Sequence, residues 1–295
     1  MERALTLPAS LTLPAPAKLN LFLHVTGRRD DGYHLLESVF VTISLADTVT
    51  LTRREDGVIR LVDPPPGLDG ANELSCRAAL ALQRASGCRY GVDIRIKKRI
   101  PQGGGLGGGS SDAATTLLGL NRLWQLRHDR ASMQALGATL GADVPFFVFG
   151  KPALASGVGE RLLSVSMPVS DYVVAFPGIG VATAQVFTDS ELKRDTSVGA
   201  TSVFALTHGH NDLQSVAERL EPRIAMLRAA FDDSAPVSHL APRMTGSGAC
   251  VFARAPDRAS ARGLAARLTG AGWQSWAVRS MASHPLFGFA NGATI

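Results

Sequence analysis

The sequence predicts an α+β protein. Two observations carry this. Strand-like and helix-like runs are both present without regular β-α alternation, and the order of elements changes after about residue 165. No internal repeat or low-complexity tail suggests a solenoid or fibre.

The elements follow in chain order. Residues 18–25, "KLNLFLHV", alternate strictly, with Leu19, Leu21, Leu23 and Val25 on one side and Lys18, Asn20, Phe22 and His24 on the other. That is the pattern of a strand with one face on a core. "HLLESVFVTISL", "DTVTLTRR" and "GVIRLVD" are three further strands, separated by turn residues. "NELSCRAALALQRASG" is an amphipathic helix, with Asn72 as N-cap and Gly87 as its stop. "YGVDIRIKKRI" returns to strand, and Pro101 ends it. A glycine run and a helix to Trp124 come next, then a short helix in "SMQALGATLG" stopped by Gly141. Beyond residue 165, "SDYVVAFPG" is a strand and residues 211–231 are rich in helix. "MTGSGACVFARA" is a loop into a strand, "DRASARGLAARLTGAG" a helix and "WQSWAVRSM" a last strand. The change of order places a boundary near residues 160–170, dividing 1–165 from 166–295.

Composition narrows the function classes. The 295 residues are 45% hydrophobic and 19% charged, enough to build a core and unlike a disordered chain. No apolar run reaches membrane-spanning length, so no membrane partner is expected. Pro8 and Pro14 interrupt the apolar stretch of "MERALTLPASLTLPAPAK", which fits a short N-terminal extension better than an export signal. Cys76, Cys88 and Cys250 have no metal-ligand spacing and fit reduced thiols, hence a cytoplasmic protein. The net charge of +5 suits anionic ligands. Aromatics make up only 6% and do not interleave with basic residues, so no nucleic-acid partner is expected.

The most informative stretch is "RIPQGGGLGGGSSDAATTLLGLNRLW", residues 99–124. Glycines let backbone N–H groups approach an anion, and a helix N-terminus adds free donors and the positive dipole end. Ser110 and Ser111 add hydroxyls for phosphate or a cation. A flexible linker is the alternative, but a linker is not expected between a strand ending in Pro and a helix opening on "SSD". A dinucleotide-binding fold would place a strand after the helix, whereas a second helix follows. A Walker loop would need Gly-Lys-Ser/Thr, which is absent.

Three motifs stand in order: "PAPAKLNLFL", the glycine loop and "MTGSGACVF". With them the chain resembles the GHMP kinase superfamily. Within it, "PQGGGLGGGSSDAA", "GRRDDGYHLLESVF" and "LGADVPFFVFG" resemble the branch whose alcohol substrate is 4-diphosphocytidyl-2-C-methyl-D-erythritol, in the non-mevalonate isoprenoid pathway. The resemblance implies a two-domain fold, with a ribosomal-protein-S5-domain-2-like N-terminal domain and a ferredoxin-like α/β C-terminal domain. It implies ATP and Mg²⁺ as cofactors, a small-molecule alcohol as second substrate, and a monomer or weak homodimer. Mg²⁺ would arrive with ATP and take few protein ligands, with Ser110 or Ser111 as candidates and no dedicated metal site.

The resemblance also assigns residues. Pro101, Gly103, Gly104, Gly105, Leu106, Gly107, Gly108, Gly109, Ser110 and Ser111 would wrap the ATP phosphates. Asn72 and Lys98 are candidates for the adenosine side, against an N-cap role for Asn72 and a solvated strand edge for Lys98. Asp143 would take the hydroxyl proton, with Lys18 as its partner and Asn20 on the same strand face. From the residues alone, Gly141 stops a helix and Pro145 favours an extended Val144, placing Asp143 in a tight helix-to-strand turn. A turn-stabilising aspartate is then as good a reading as a base. Tyr33, His34, Phe40 and Phe187 would form a cytidine pocket, with Thr183 beside it and Gly246 and Ser247 lining the cleft. For Phe40, core packing in "ESVFVTISL" is a strong alternative. "HGHND" at 208–212 is better explained by a helix cap from Asn211 or Asp212 than by a metal site. Two other functions stay open: a kinase of the same superfamily with a different alcohol, and a basic RNA-binding α+β domain.

Overall fold

The computed structural model describes residues 9–64, 66, 70, 73–197, 210–232 and 241–290. Two long strands open the chain, β1 (Ser10–Arg28) and β2 (His34–Arg54), paired antiparallel. The sequence divided this stretch into two strands at Ala46, but β2 runs through it. Asp47 is buried, and its carboxylate accepts from the N–H groups of Arg99 at 2.5 Å and Ile100 at 2.9 Å. Around this pair lie β3 (Ile59–Leu61), β4 (Gly91–Lys97), β5 (Ala153–Ser156) and β6 (Arg161–Ser164), in the order β3-β4-β2-β5-β6 with β1 also on β2. A second, antiparallel sheet follows: β7 (Asp171–Phe176), β8 (Arg243–Met244), β9 (Val251–Ala255) and β10 (Gln274–Arg279), in the order β10-β7-β9-β8.

The helices cover the outer faces. In the first part they are α1 (Leu74–Ser86), α2 (Gly108–Leu123), α3 (Arg130–Ala138) and α4 (Val144–Phe149). In the second they are α5 (Thr183–Thr188), α6 (Gln214–Leu220), α7 (Pro222–Asp232) and α8 (Arg258–Gly270). α1 ends at Gly87, as its left-handed φ of 63° requires. Its N-cap is Glu73, whose carboxylate accepts from Ser75 and Cys76; Asn72 lies outside the described residues. α2 is buried on nearly every side from Ser111 to Leu123 and is the central helix of the first core.

Three cores result. One joins the first sheet to α1, α2 and α4; one joins the second sheet to α6, α7 and α8. The third lies between the sheets, where Leu19, Leu21, Phe22, Val41 and Ile43 meet Tyr172, Val174, Phe252 and Val278. β1 is therefore not half-solvated. Its register shifts between Asn20 and Leu23, so Leu21 and Phe22 both enter the inter-sheet core and Lys18 is only 4% exposed. "VPFFVF" is the helix α4, not a strand, because Pro145 occupies its first turn, where its missing N–H is no loss. A final 3₁₀ turn, Phe287–Ala290, returns to the first core through Leu286 and Ala290. Among the described residues no helix is long and apolar enough to cross a membrane.

Candidate active site

A cleft of about 980 Å³ opens between the glycine loop, the 246–248 loop, the start of β2 and α5. The glycine loop enters α2 through Gly107, which has φ +69° and sits at the N-cap. Its hydrogen bonds run outward through carbonyls: Leu106 accepts from Lys18 N at 2.9 Å, Gly103 from Ala249 N at 2.9 Å and Gly104 from Cys250 N at 3.1 Å. No N–H from Gly103 to Ser110 has an acceptor among the described residues. This is the donor-rich cradle that an anion requires. A Cβ on Gly105 would lie 2.2 Å from the Thr245 carbonyl oxygen, so the two loops meet backbone to backbone. Pro101, Gly103–Gly109, Ser110 and Lys98 all line the cleft. Ser111 does not. One residue on around the helix, its hydroxyl points inward and donates to Pro16 O at 2.7 Å.

Asp143 and Lys18 face each other across the cleft floor, 3.7 Å apart. Asp143 stands just before α4, and its carboxylate makes no capping bond. The turn-stabilising alternative therefore has no hydrogen bond to support it, and the turn leads into a helix rather than a strand. With 34% of its side chain exposed, Asp143 is reachable, whereas Lys18 is almost fully enclosed. Lys18 donates to Asn20 Oδ1 and lies 5.1 Å from the centre of the Phe40 ring. Asn20 is held in turn, donating through Nδ2 to Ser38 Oγ at 2.9 Å and through its backbone N to Thr245 Oγ1 at 2.9 Å. Its orientation thus keeps an oxygen on the ammonium. Phe40 packs on Phe146 in the core and also borders the cleft.

Lys98 is no solvated edge residue. Its ammonium is shared by Asp47 at 2.5 Å and Asp112 at 2.7 Å. Burial opposes its charge, but the two carboxylates outweigh burial and its pKa is raised. Burial pushes the Asp112 carboxyl well up, Lys98 pulls it back, and the Asp47 charge pushes it up again. One cation therefore serves two enclosed carboxylates beside the start of α2.

The other end of the cleft is aromatic. The ring centres of His34 and Phe187 are 5.2 Å apart, and Tyr33 is 65% exposed beside them. Thr183, at the start of α5, shares a 2.7 Å hydrogen bond with Ser247. Arg194 donates to His34 Nε2 at 3.0 Å and to the carbonyl of Phe187 at 3.3 Å. Asn20, Tyr33, His34, Phe40, Thr183, Phe187, Gly246 and Ser247 all line this cleft.

The family model described as GHMP kinases N terminal domain matches residues 73–151. The 4-diphosphocytidyl-2-C-methyl-D-erythritol kinase of Cupriavidus metallidurans is 48% identical over 292 residues, covering 97% of this chain and 98% of the relative. The chain belongs to the 4-diphosphocytidyl-2-C-methyl-D-erythritol kinase family. The member from Aromatoleum aromaticum is 48% identical over 277 residues, covering 94% and 95% of the two chains. A crystal structure of 4-(cytidine 5'-diphospho)-2C-methyl-D-erythritol kinase matches with a TM-score of 0.78 and 37% identity, over 92% of this chain and 99% of that one. A homoserine kinase from Cytophaga hutchinsonii shares the fold at a TM-score of 0.71 and 14% identity, over 96% and 98% of the chains. As a member of this kinase family, the chain is a small-molecule kinase with the two-domain GHMP kinase fold.

Ser38 and Arg194 carried no sequence signal, and Thr245 stood only within the "MTGSGACVF" motif. Ser38 and Thr245 fix Asn20, and Arg194 joins His34 to Phe187. Asn211 is not the N-cap of α6, which is Leu213 without a side-chain bond, but its Oδ1 accepts from Leu213 N at 2.9 Å just before the helix. Its Nδ2 donates to Met244 O and Gly246 O, fixing the second loop. Asp212 accepts from Val25 N at 2.7 Å and contacts His210, while His208 lies outside the described residues.

Proposed function

We propose that this kinase transfers the γ-phosphoryl group of ATP to the 2-hydroxyl of 4-diphosphocytidyl-2-C-methyl-D-erythritol, giving ADP and the 2-phosphate, in the non-mevalonate isoprenoid pathway. The observation that carries the reading is the Lys18–Asp143 pair, 3.7 Å apart in the same cleft as the glycine loop and the Tyr33, His34 and Phe187 side chains. Phosphoryl transfer asks a protein mainly for placement and charge neutralisation. The N–H groups at the start of α2 receive the β- and γ-phosphates. The 2-hydroxyl gives its proton to an Asp143 oxygen as its own oxygen bonds to the γ-phosphorus. The bond from that phosphorus to the bridging oxygen breaks, and ADP carries away the electron pair. Lys18, held by Asn20, stabilises the negative charge on Asp143 and then on the reacting oxygen. No covalent enzyme intermediate is involved.

The donor set fits a divalent cation that comes with ATP. Ser110 offers a hydroxyl with no partner among the described residues, and Mg²⁺ takes few protein ligands. Ser110 would hold it, and its charge would offset that of the phosphates. The division at 165/166 belongs to the same reading, with the Phe287–Ala290 turn returning to the first unit. The test is turnover by purified protein with ATP and Mg²⁺. Conversion of the cytidylyl alcohol far above mevalonate or homoserine is expected. Equal or better turnover of either alternative would overturn the assignment.

A further inference from the structure

Arg194 stands outside the cleft lining, yet it links both aromatic walls. It donates from Nε to His34 Nε2 at 3.0 Å. Its two terminal nitrogens donate to the carbonyls of Leu192 at 3.0 Å, Phe187 at 3.3 Å and Asp189 at 2.5 Å. An arginine side chain has donors only. The His34 nitrogen that faces it must therefore be the acceptor, which leaves the ring proton on Nδ1. We infer that Arg194 is a positioning residue for base recognition: it fixes His34 as the Nδ1–H tautomer, and that N–H selects cytosine over uracil. The inference rests on the cytidylyl substrate proposed above.

The selection follows from the edges of the two bases. Cytosine carries a bare ring nitrogen at N3, an acceptor. Uracil carries N3–H there, a donor. A His34 Nδ1–H meets cytosine N3 as donor to acceptor and meets uracil as donor to donor. The opposite tautomer would reverse the preference. No described residue accepts from His34 Nδ1, so the proton is free for a ligand. A charged imidazole would also break the Arg194 contact, since both nitrogens would then be donors. The surroundings keep the ring neutral: burial lowers its pKa, and the Arg194 and Arg28 guanidiniums lower it further. These guanidiniums, from the segment after α5 and from the end of β1, are the charged groups bearing on the ring. Arg194 also holds the Phe187 carbonyl, so the stacking wall and the reading edge are set by one side chain.

The first measurement needs no substrate. ¹⁵N NMR of the wild-type protein near neutral pH, with His34 assigned by its loss in His34→Gln, should show Nδ1 protonated and Nε2 bare. A proton on Nε2, or a mixture of tautomers, overturns the inference. The second measurement compares kcat/KM for the cytidine- and uridine-linked alcohols. Arg194→Met should lower the preference for cytidine roughly tenfold, the scale of one hydrogen bond, through KM rather than kcat. Arg194→Lys, which can still donate to Nε2, should recover part of the preference. A wild-type enzyme that does not turn over the cytidine-linked alcohol overturns the functional reading. A wild type that does so, with discrimination unchanged in a folded Arg194→Met protein, overturns the role of Arg194 alone.

Discussion

Gly107 and Gly109 are two residues apart in the same loop-to-helix junction, yet alanine should act on them with opposite signs. Gly107 has φ +69°, in the left-handed region, where an L-residue costs about 1–2 kcal/mol. Its new Cβ would lie 3.1 Å from the Phe147 ring and 3.2 Å from Lys18 Cγ. Phe147 is fully buried and has little room to give. Overpacking of this kind adds about 1–3 kcal/mol, so Gly107→Ala should lose about 2–5 kcal/mol. The Lys18 stem can yield, but only by moving the ammonium that faces Asp143. Displacement of a catalytic group by a fraction of an ångström should lower kcat about tenfold or more. Gly109 lies on the exposed side of the first helical turn with nothing within 4 Å of a Cβ. Gly109→Ala should gain roughly 0.5–1 kcal/mol from reduced backbone freedom in the unfolded chain. Urea denaturation at constant m, with initial rates on the same samples, measures both effects. If Gly107→Ala is as stable as wild type, or as stable as Gly109→Ala, the left-handed N-cap and its contact with Lys18 are wrong.

Two further outcomes are expected. Tyr33→Ala and Phe187→Ala should each raise the KM for the cytidylyl substrate about tenfold to a hundredfold, the scale of one base–aromatic stack, with little change in the KM for ATP; steady-state kinetics with both substrates varied decides. His284 is buried, and burial, helped by Arg130, holds its pKa at about 4 against the ordinary 6.5. The unfolded chain therefore takes up a proton that the folded protein refuses. Stability should fall as pH drops from 6.5 towards 4, by up to about 3 kcal/mol from this group, and His284→Gln should remove that part of the pH dependence in melts across the window.

The glycine loop was legible because its conformation demands its residues. Positive φ at Gly103, Gly105 and Gly107 and the backbone contact at Gly105 leave no alternative side chain. Gly87 was legible as the stop of α1 for the same reason. The strict alternation of residues 18–25 misled, because a second sheet covers the face expected in solvent and a register shift redirects Phe22. The burial of Asp47 was not legible because a buried carboxylate has no local mark; its partners Lys98, Arg99 and Ile100 stand more than fifty residues away. Pro145 suggested extended backbone at Val144, but the first turn of a helix accepts proline equally well. Ser38 and Arg194 were invisible, since their partners lie 18 and 160 positions away in the chain. Thr245 stood within the "MTGSGACVF" motif, but its bond to Asn20, 225 positions away, had no mark in the sequence.

The central claim is that Asp143 takes the hydroxyl proton in a cleft otherwise built to hold the two substrates. The direct test is the single-turnover rate of phosphoryl transfer in Asp143→Asn, a nearly isosteric change that removes the proton acceptor and leaves a side chain of the same size before α4. The rate should fall roughly 10²–10⁴-fold, the usual scale for a general base, while the melting temperature and both substrate affinities stay close to wild type. An Asp143→Asn enzyme that transfers phosphate at the wild-type rate would contradict the account.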